Sequence, residues 1–291
     1  MAITRTGIQV DTNQNFTNPL DYYESGVASR VTATQLQPST RYYTRAYVVS
    51  DGTTYYSQSM RSFMTETPNY LSFTNNSGGQ TDLEIKKVGA PNSVVLEYST
   101  DRSLWEAKDI SDGDEAITIM DNETIYLRGT SNTEFSNSPD DYYYFACADS
   151  LEASGNVLSL VDPTTTIDQI PCPYCFTHLF DGMSTMTVDD LTLTAIVLNE
   201  GCYAYMFANC TNLATPMVIM GVDADIYCFD NMFFNCPNFD TVTVYIADYN
   251  EDYCSSWLKG CAPVGTVYNL GGASFHTDTD DGIPENWTEI N

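Results

Sequence analysis

The sequence predicts a mainly β protein with several domains: a β-sandwich, a second small β-sandwich, and a solenoid whose repeats each contain a short helix and a strand. Three observations support this prediction. A cysteine-led motif begins at Cys175, Cys202, Cys228 and Cys254, so it returns every 26 or 27 residues, and a fixed period of this size is typical of solenoids. Short segments before residue 150 alternate apolar and polar positions between turn residues, which indicates strands. Hydrophobic residues make up 43% and aromatic residues 13% of the chain, enough for folded cores.

Residues 1–67 are predicted to form the first sandwich, with strands over Ile3–Val10, Val27–Thr34, Arg41–Val49 and Thr53–Thr65. The run Leu36-Gln-Pro-Ser-Thr-Arg-Tyr42 resembles the segment before strand F of fibronectin type III domains, in which the tyrosine forms a corner. The resemblance implies a fibronectin type III-like domain, yet no residues remain for its strands A and B. A sheet left uncovered in this way is expected to dock on a partner, for example by strand addition.

Residues 68–150 are predicted to form the second sandwich and to act as a spacer. The predicted strands share β-branched or aromatic content and flanking turn residues; they are Tyr70–Phe73, Leu83–Ile85, Val94–Tyr98, Ala116–Ile119 and Thr124–Arg128.

Residues 151–270 are predicted to form the solenoid, and residues 271–291 a polar cap on its last repeat. Within a repeat, apolar residues fall at offsets 0, 4, 5 and 8 from the leading cysteine, which is helical spacing. A strand is expected afterwards, most clearly over Thr241–Ile246. Lys259 stands at the phenylalanine position of the last copy. The predicted repeat core consists of Cys175, Phe180, Cys202, Met206, Phe207, Cys210, Cys228, Met232, Phe233, Cys236, Cys254, Leu258 and Cys261.

The motif from Cys202 to Leu213, C-Y-x-x-M-F-x-x-C-x-x-L, resembles the BspA-like leucine-rich repeats of Bacteroidales surface proteins and of phages that infect Bacteroides, including crAss-like phages. Three other runs are similar to segments that accompany such repeats: Leu96–Trp105, Tyr126–Gly129 and the closing Gly282-Ile-Pro-x-x-Trp287. The resemblance implies a virion or fibre protein, or a surface adhesin.

Cys172-Pro-Tyr-Cys175, followed by His178, has the spacing of a metal or redox motif. A structural zinc site needs a fourth ligand, and Cys175 also occupies the leading core position of the first repeat. Buried structural thiols are therefore the favoured interpretation, and no metal and no cofactor are predicted.

The charge balance excludes two classes of partner. Asp and Glu number 39 against 11 Lys and Arg, for a net charge of −28. Such a surface repels nucleic acids and anionic membranes. The first ten residues lack the apolar region of a secretory signal, and no apolar run is long enough to span a membrane. Release by host lysis as part of a phage particle is therefore expected, with the protein on the virion surface.

Three functions compete. The first is a non-enzymatic structural and adhesion protein of a phage particle, such as a head or tail fibre. Its N-terminal part would dock on other virion proteins or further copies of itself, and its repeats would bind a host glycan or protein. The alternatives are a bacterial cell-surface adhesin and a glycan-cleaving enzyme that uses a carboxylate pair. The predicted binding face comprises the offset-3 residues His178, Tyr205, Asn231 and Trp257, which would form an exposed column with two large aromatic rings.

Overall fold

The computed structural model of the protein describes residues 2–33, 36, 41–64, 68–248, 250–278 and 280–291. The chain divides into two compact units, residues 1–68 and residues 69–291. In the part that the structure describes, no helix is long and apolar enough to cross a membrane.

In its described residues, unit 1 has five strands: β1 (Ile3–Asp11), β2 (Leu20–Ser25), β3 (Arg41–Ser50), β4 (Thr53–Tyr56) and β5 (Arg61–Met64). They form one antiparallel sheet in which β2, β1 and β3 are neighbours and both β4 and β5 pair with β3. A two-residue turn, Asp51-Gly52, joins β3 to β4, and both residues have positive φ values, of 50° and 80°. This is the hairpin geometry that matches the twist of the flanking strands and favours Asp-Gly.

The predicted fibronectin-like sandwich is wrong for the described part of unit 1, where all strands belong to a single sheet. The strand expected from Val27 is absent over residues 27–33; Leu20–Ser25 pairs with β1 instead. An alternation of apolar and polar residues marks a half-buried strand but does not say which strand is its neighbour. Residues 37–40, before the expected tyrosine corner, lie outside the described residues.

Unit 2 begins with two sheets. Their strands are β6 (Leu71–Asn75), β7 (Thr81–Val88), β8 (Val95–Ser99), β9 (Glu106–Asp109), β10 (Glu115–Ile119), β11 (Thr124–Gly129), β12 (Tyr142–Ala146) and β13 (Leu151–Asn156). One sheet has the order β10-β7-β12, and the other contains β13-β6-β11-β8-β9. The sheets pack against each other through alternate buried side chains; the rings of Phe73 and Phe145 meet edge to face at 5.4 Å. The five strands predicted here are confirmed.

The repeats continue directly from the second sheet. Strand β14 (Thr187–Thr192) pairs in parallel with β13, and an isolated parallel bridge joins Leu193 to Ile219. Strands β15 (Met217–Ile219), β16 (Thr241–Val244), β17 (Gly265–Asn269) and β18 (Trp287–Ile290) follow as one parallel sheet. We call this succession of coils the repeat stack. One buried cluster of side chains runs from Leu71 to Trp287. The short 3₁₀ helices are Val157–Leu160 and Glu251–Tyr253.

The predicted leucine-rich repeat solenoid with one helix per repeat is wrong. The described residues contain no α-helix, and the expected helices are runs of successive turns at residues 173–182, 200–209, 226–235 and 255–260, here called the turn runs. Their amides alternate between two kinds of acceptor. In the first run, the Thr177 amide donates to the Tyr174 carbonyl three residues back, whereas the Phe176 amide donates to the Cys202 carbonyl of the next coil. An α-helix would instead bond every amide four residues back within the same segment.

Left-handed residues recur every fourth position along the turn runs, which explains why no helix forms. Positive φ values are found at Tyr174, His178, Gly182, Gly201, Tyr205, Asn209, Tyr227, Asn231, Asn235, Ser256 and Gly260. A left-handed residue is incompatible with a right-handed helix and costs roughly 1–2 kcal/mol for most residue types. Gly and Asn tolerate it best, and they occupy offset 7 of the first three coils. The apolar offsets 0, 4, 5 and 8 fit this four-residue repeat as well as they fit a helix.

Candidate binding face

A column of phenylalanine rings fills the interior behind the turn runs. Phe180, Phe207 and Phe233 stack on one another with ring centroids 5.2 Å and 5.5 Å apart, and all three are fully buried. Phe145 of β12 stacks on Phe180 at 6.1 Å, and Phe239 stacks on Phe233 at 4.2 Å. Of the thirteen predicted core residues, twelve are buried and Cys261 is half-buried. This column holds the outer surface of the turn runs at a fixed spacing.

Eight of the nine cysteines lie in the repeat stack, and Cys147 follows β12. All nine are free thiols. The second cysteine of a coil donates its thiol proton to the phenylalanine carbonyl of the preceding coil, from Cys210 to Phe180 at 3.1 Å, from Cys236 to Phe207 at 3.0 Å and from Cys261 to Phe233 at 3.1 Å. Burial raises the pKa of the Cys236 thiol to about 12, so it stays protonated and able to donate.

The Cys172-x-x-Cys175 motif belongs to the same interior. The half-buried Cys172 thiol lies 3.5 Å from the Ser136 carbonyl oxygen, and Cys175 is fully buried. Burial raises the pKa of Cys175, which disfavours the thiolate that a metal or a redox partner requires. The nearby His178 has its Nδ1 atom 2.7 Å from the Asp181 carboxylate. No group of three or more metal-ligating side chains is gathered in the described ranges.

The structure brings His178 and Tyr205 together and separates Trp257 from them. The His178 and Tyr205 rings stack at 4.5 Å with only 9° between their planes. Tyr142, from β12, stacks on the other side of His178 at 4.2 Å and 13°. We call these three residues the ring column. Asn231, at the same offset of the next coil, follows Tyr205 and also has a positive φ, of 52°. Both faces of the His178 ring are covered, so ligand access to the column is through ring edges and the exposed part of Tyr205.

Trp257 is not part of this face, which corrects the prediction from offset 3. It is 1% exposed, and its indole nitrogen donates to the Gly282 carbonyl at 2.7 Å. The reason is a last turn run that is one residue shorter: its two cysteines are seven positions apart, not eight. The Phe233 amide donates to the Trp257 carbonyl, just as the Phe207 amide donates to that of Met232. Trp257 thus takes the methionine position. Leu258, not Lys259, then follows in the phenylalanine position.

Side-chain bonds link the coils beside the ring column. The Asn209 amide group donates to the Asp181 carboxylate at 2.9 Å, and the Asn235 amide group donates to the Asn209 side-chain oxygen at 3.0 Å. These asparagines stand at offset 7, where their left-handed backbone turns the side chains outward along the stack. The face of the turn runs is therefore ordered by hydrogen bonds as well as by ring stacking.

A second group of tyrosines lies beside the ring column, and counting from offset 3 had missed it. Tyr174 and Tyr227 each precede a leading cysteine, and the Tyr174 ring covers Gly201 so closely that a Cβ atom there would lie 2.1 Å from it. Tyr227 is 41% exposed and Tyr205 is 36% exposed. The sequence signal was the recurrence of tyrosine immediately before the leading cysteine in three of the four coils, at Tyr174, Tyr227 and Tyr253.

Asp230 sits among these rings and is the most perturbed carboxyl of the face. Burial raises its pKa to about 6, although the Ser255 amide donates to it at 3.0 Å, and nearby Asp252 and Asp281 add to the increase. The Tyr174 hydroxyl donates to Glu200 at 3.1 Å; burial, followed by this acceptor, raises the pKa of Tyr174 to about 12. We call the whole surface the turn face; it comprises Tyr142, Tyr174, His178, Asp181, Glu200, Tyr205, Tyr227, Asp230 and Asn231.

The turn face presents aromatic rings and carboxylates from a stretch of sequence that contains no Lys or Arg. Residues 129–258 contain 18 Asp and Glu and no Lys or Arg. A shallow pocket of about 200 Å³, lined by Val88, Tyr142, Tyr144 and Asp181, adjoins the end of the ring column. Chemically, the arrangement can hold a ligand by ring contacts and by hydrogen bonds or charge at the carboxylates. No family model, curated protein or solved structure matches the chain.

Proposed function

We propose that the protein is a non-enzymatic structural and adhesion protein of a phage particle, displayed on the virion surface, that binds the host surface through the turn face. The observation that supports the binding role is the pair of partly exposed rings, Tyr205 and Tyr227, on neighbouring turn runs that are backed by the buried phenylalanine column. Exposed tyrosines on a rigid support give contact area at a low cost in conformational entropy.

The virion assignment rests on the sequence resemblance of residues 96–105, 126–129 and 282–287 to segments of phage and Bacteroidales surface proteins. The repeats do not add to it, because their turn runs lack the helix of leucine-rich repeats. A bacterial cell-surface adhesin is the alternative, and it would use the same turn face. Mass spectrometry of purified particles separates the two, since only a virion protein would copurify at constant stoichiometry.

Unit 1 is the part that we assign to attachment, either on another virion protein or on further copies of the chain. Residues 1–68 contain five arginines and five acidic residues, so the net charge of −28 belongs to residues 69–291. Contacts through unit 1 avoid the repulsion that two copies of unit 2 would experience. Its edge strand β2 is almost entirely exposed, and an open edge accepts an added strand.

The test of the binding role uses substitutions that the stack already tolerates. Asn231 occupies the coil position of Tyr205, and Gly201 occupies that of Tyr227, with left-handed backbones at all four residues. The double variant Tyr205→Asn, Tyr227→Gly should therefore fold normally and attach less to host cells. Tyr268→Ala, on β17, removes an equally exposed ring (38%) elsewhere and is the matched control. Attachment that is equal in both variants and in the natural protein would refute a role for the turn face.

A glycan-cleaving enzyme is the second candidate, and the raised pKa of Asp230 is the observation that favours it. A carboxyl with a pKa near 6 can act as a general acid, with a second carboxylate nearby, such as Asp252 or Asp281. The test is release of reducing ends from host polysaccharide. Release that disappears in Asp230→Asn supports the enzyme, and its absence at high protein concentration removes this candidate.

A further inference from the structure

Arginine side chains in this chain repeatedly lie over aromatic rings. The guanidinium carbon of Arg5 is 3.9 Å from the centre of the Tyr23 ring, that of Arg102 is 4.0 Å from Tyr126, and that of Arg128 is 3.9 Å from Trp105. Arg128 also donates to the Glu97 carboxylate at 2.6 Å. A ring together with a carboxylate is therefore an arginine site elsewhere in this same chain.

The turn face offers the same two acceptors, and the lysines of two adjoining elements have carboxylate partners: Lys86 of β7 pairs with Glu84 at 3.1 Å and Lys259 of the last turn run with Asp280 at 2.7 Å. Tyr205 and Tyr227 are partly exposed, and backbone hydrogen bonds tie both to Asp230: the Tyr205 amide donates to the Asp230 carbonyl and the Asp230 amide to the Tyr227 carbonyl. Burial, and then the nearby Asp230 carboxylate, raises the pKa of Tyr205. From residue 129 to residue 258 the sequence supplies no lysine or arginine at all. The turn face itself carries the carboxylates of Asp181, Glu200 and Asp230, so its rings lie in a negative environment.

We propose that the partner of the turn face is a basic polypeptide segment, whose arginine or lysine side chains lie on Tyr205 and Tyr227 and face the surrounding carboxylates. The proposal rests on the proposed binding function and identifies the chemistry of its partner. The acceptors are spread over three successive coils, from Tyr174 through Tyr205 to Tyr227. A chain with several cations matches a row of this kind better than a single small ion does. A neutral glycan would cover the rings but leave the excess negative charge unmatched.

The experiment measures binding of a fluorescently labelled peptide of alternating arginine and serine to the full-length protein. The same peptide with citrulline in place of arginine keeps the shape and loses the charge. A neutral oligosaccharide of host-capsule type is the third probe. We expect the arginine peptide to bind and the citrulline peptide to bind at least about tenfold more weakly. Raising sodium chloride from about 50 mM to about 300 mM should weaken the arginine complex several-fold.

Substitutions in the turn face distinguish peptide binding at this site from general attraction of the peptide to an acidic protein. The Tyr205→Asn, Tyr227→Gly variant keeps every charge, so general attraction is unchanged, and its affinity for the arginine peptide should fall about tenfold. The Tyr268→Ala control should stay within about twofold of the natural protein. Circular dichroism and thermal unfolding of each variant show that the fold is kept.

Three results would overturn the inference: no arginine-peptide binding, equal binding of the citrulline peptide, or equal loss in the Tyr268→Ala control. If the neutral oligosaccharide instead binds the natural protein and not the double variant, the turn face remains a binding surface and only the basic partner is refuted. If the double variant attaches to host cells like the natural protein, the binding function itself fails.

Discussion

Replacing Tyr203 with phenylalanine should stabilise the protein. Tyr203 is fully buried between the leading segments of neighbouring coils, and its ring lies 6.2 Å from that of Phe176. Its hydroxyl is a buried side-chain oxygen with no hydrogen-bond partner among the described residues. Phe176 and Phe229 occupy the same offset in the adjacent coils, so phenylalanine fits this position.

The magnitude follows from the cost of burying an unpaired hydroxyl, roughly 1–3 kcal/mol. Removing one oxygen loses a few tenths of a kcal/mol of van der Waals contact. The net gain should be about 1–2 kcal/mol, which raises the melting temperature of a unit of this size by about 3–6 °C. Urea unfolding at equal slope measures the free energy directly.

Tyr143→Phe is the matched control, because Tyr143 is equally buried and its hydroxyl donates to the Asn92 carbonyl at 3.1 Å. That substitution should destabilise the protein by about 0.5–1.5 kcal/mol. If Tyr203→Phe is as unstable as Tyr143→Phe, the Tyr203 hydroxyl has a stabilising partner and the reasoning is refuted.

Four further outcomes are expected. Phe207→Ala should cost roughly 3–5 kcal/mol, because it opens a hole in the stacked column; an unchanged melting transition would contradict that column. The raised pKa of Asp230 means that its protonated form stabilises the fold, so this contribution is complete below about pH 4 and is lost as the pH rises through about 6. Asp230→Asn should therefore gain about 1–2 kcal/mol over the natural protein at pH 7.5 and little at pH 4, and an equal difference at both pH values would contradict it. Asn235→Gly should fold nearly as well as the natural protein, whereas Asn235→Val should lose more than about 1 kcal/mol at this left-handed position, as denaturant titrations of both would show. Alkylation of the unfolded, unreduced protein should modify all nine cysteines, and any pair protected from the reagent would indicate a disulfide.

The period of the repeats could be predicted from the sequence, and their local conformation could not. Spacing of apolar residues tells which side chains face inward, but offsets 0, 4, 5 and 8 are shared by a helix and by a run of turns four residues apart. The discriminating signal was at the polar positions: Gly182, Asn209 and Asn235 share offset 7, where a helix gains nothing from Gly or Asn.

The candidate site was predictable only in part, because the repeat period relates only residues that lie within the repeats. His178 and Tyr205 share an offset and do stack, but the third ring of the column, Tyr142, comes from β12, outside the repeats. No period in the sequence relates it to the others. The prediction placed Trp257 on the exposed face because it assigned positions by counting from Cys254. The last turn run is one residue shorter before Trp257, so that count is off by one position.

The alternating amides of the turn runs also determine how the molecule ends. Each coil directs a row of amides toward the next coil, whose carbonyls accept their hydrogen bonds. Nothing in this bonding pattern limits the number of coils. Here the last coil is closed by the C-terminal segment: the Ser256 amide donates to the Asp280 carbonyl, and the Trp257 indole donates to Gly282. The Trp287 indole donates to the Ala262 carbonyl at 2.8 Å. A chain shortened at Ala273 would lose all three contacts and leave the last coil without these partners. The opposite end of the stack is already covered, because the Ser136 and Phe145 amides donate to carbonyls of the first coil, so the C-terminal segment is the part that shields the remaining end from pairing with another chain.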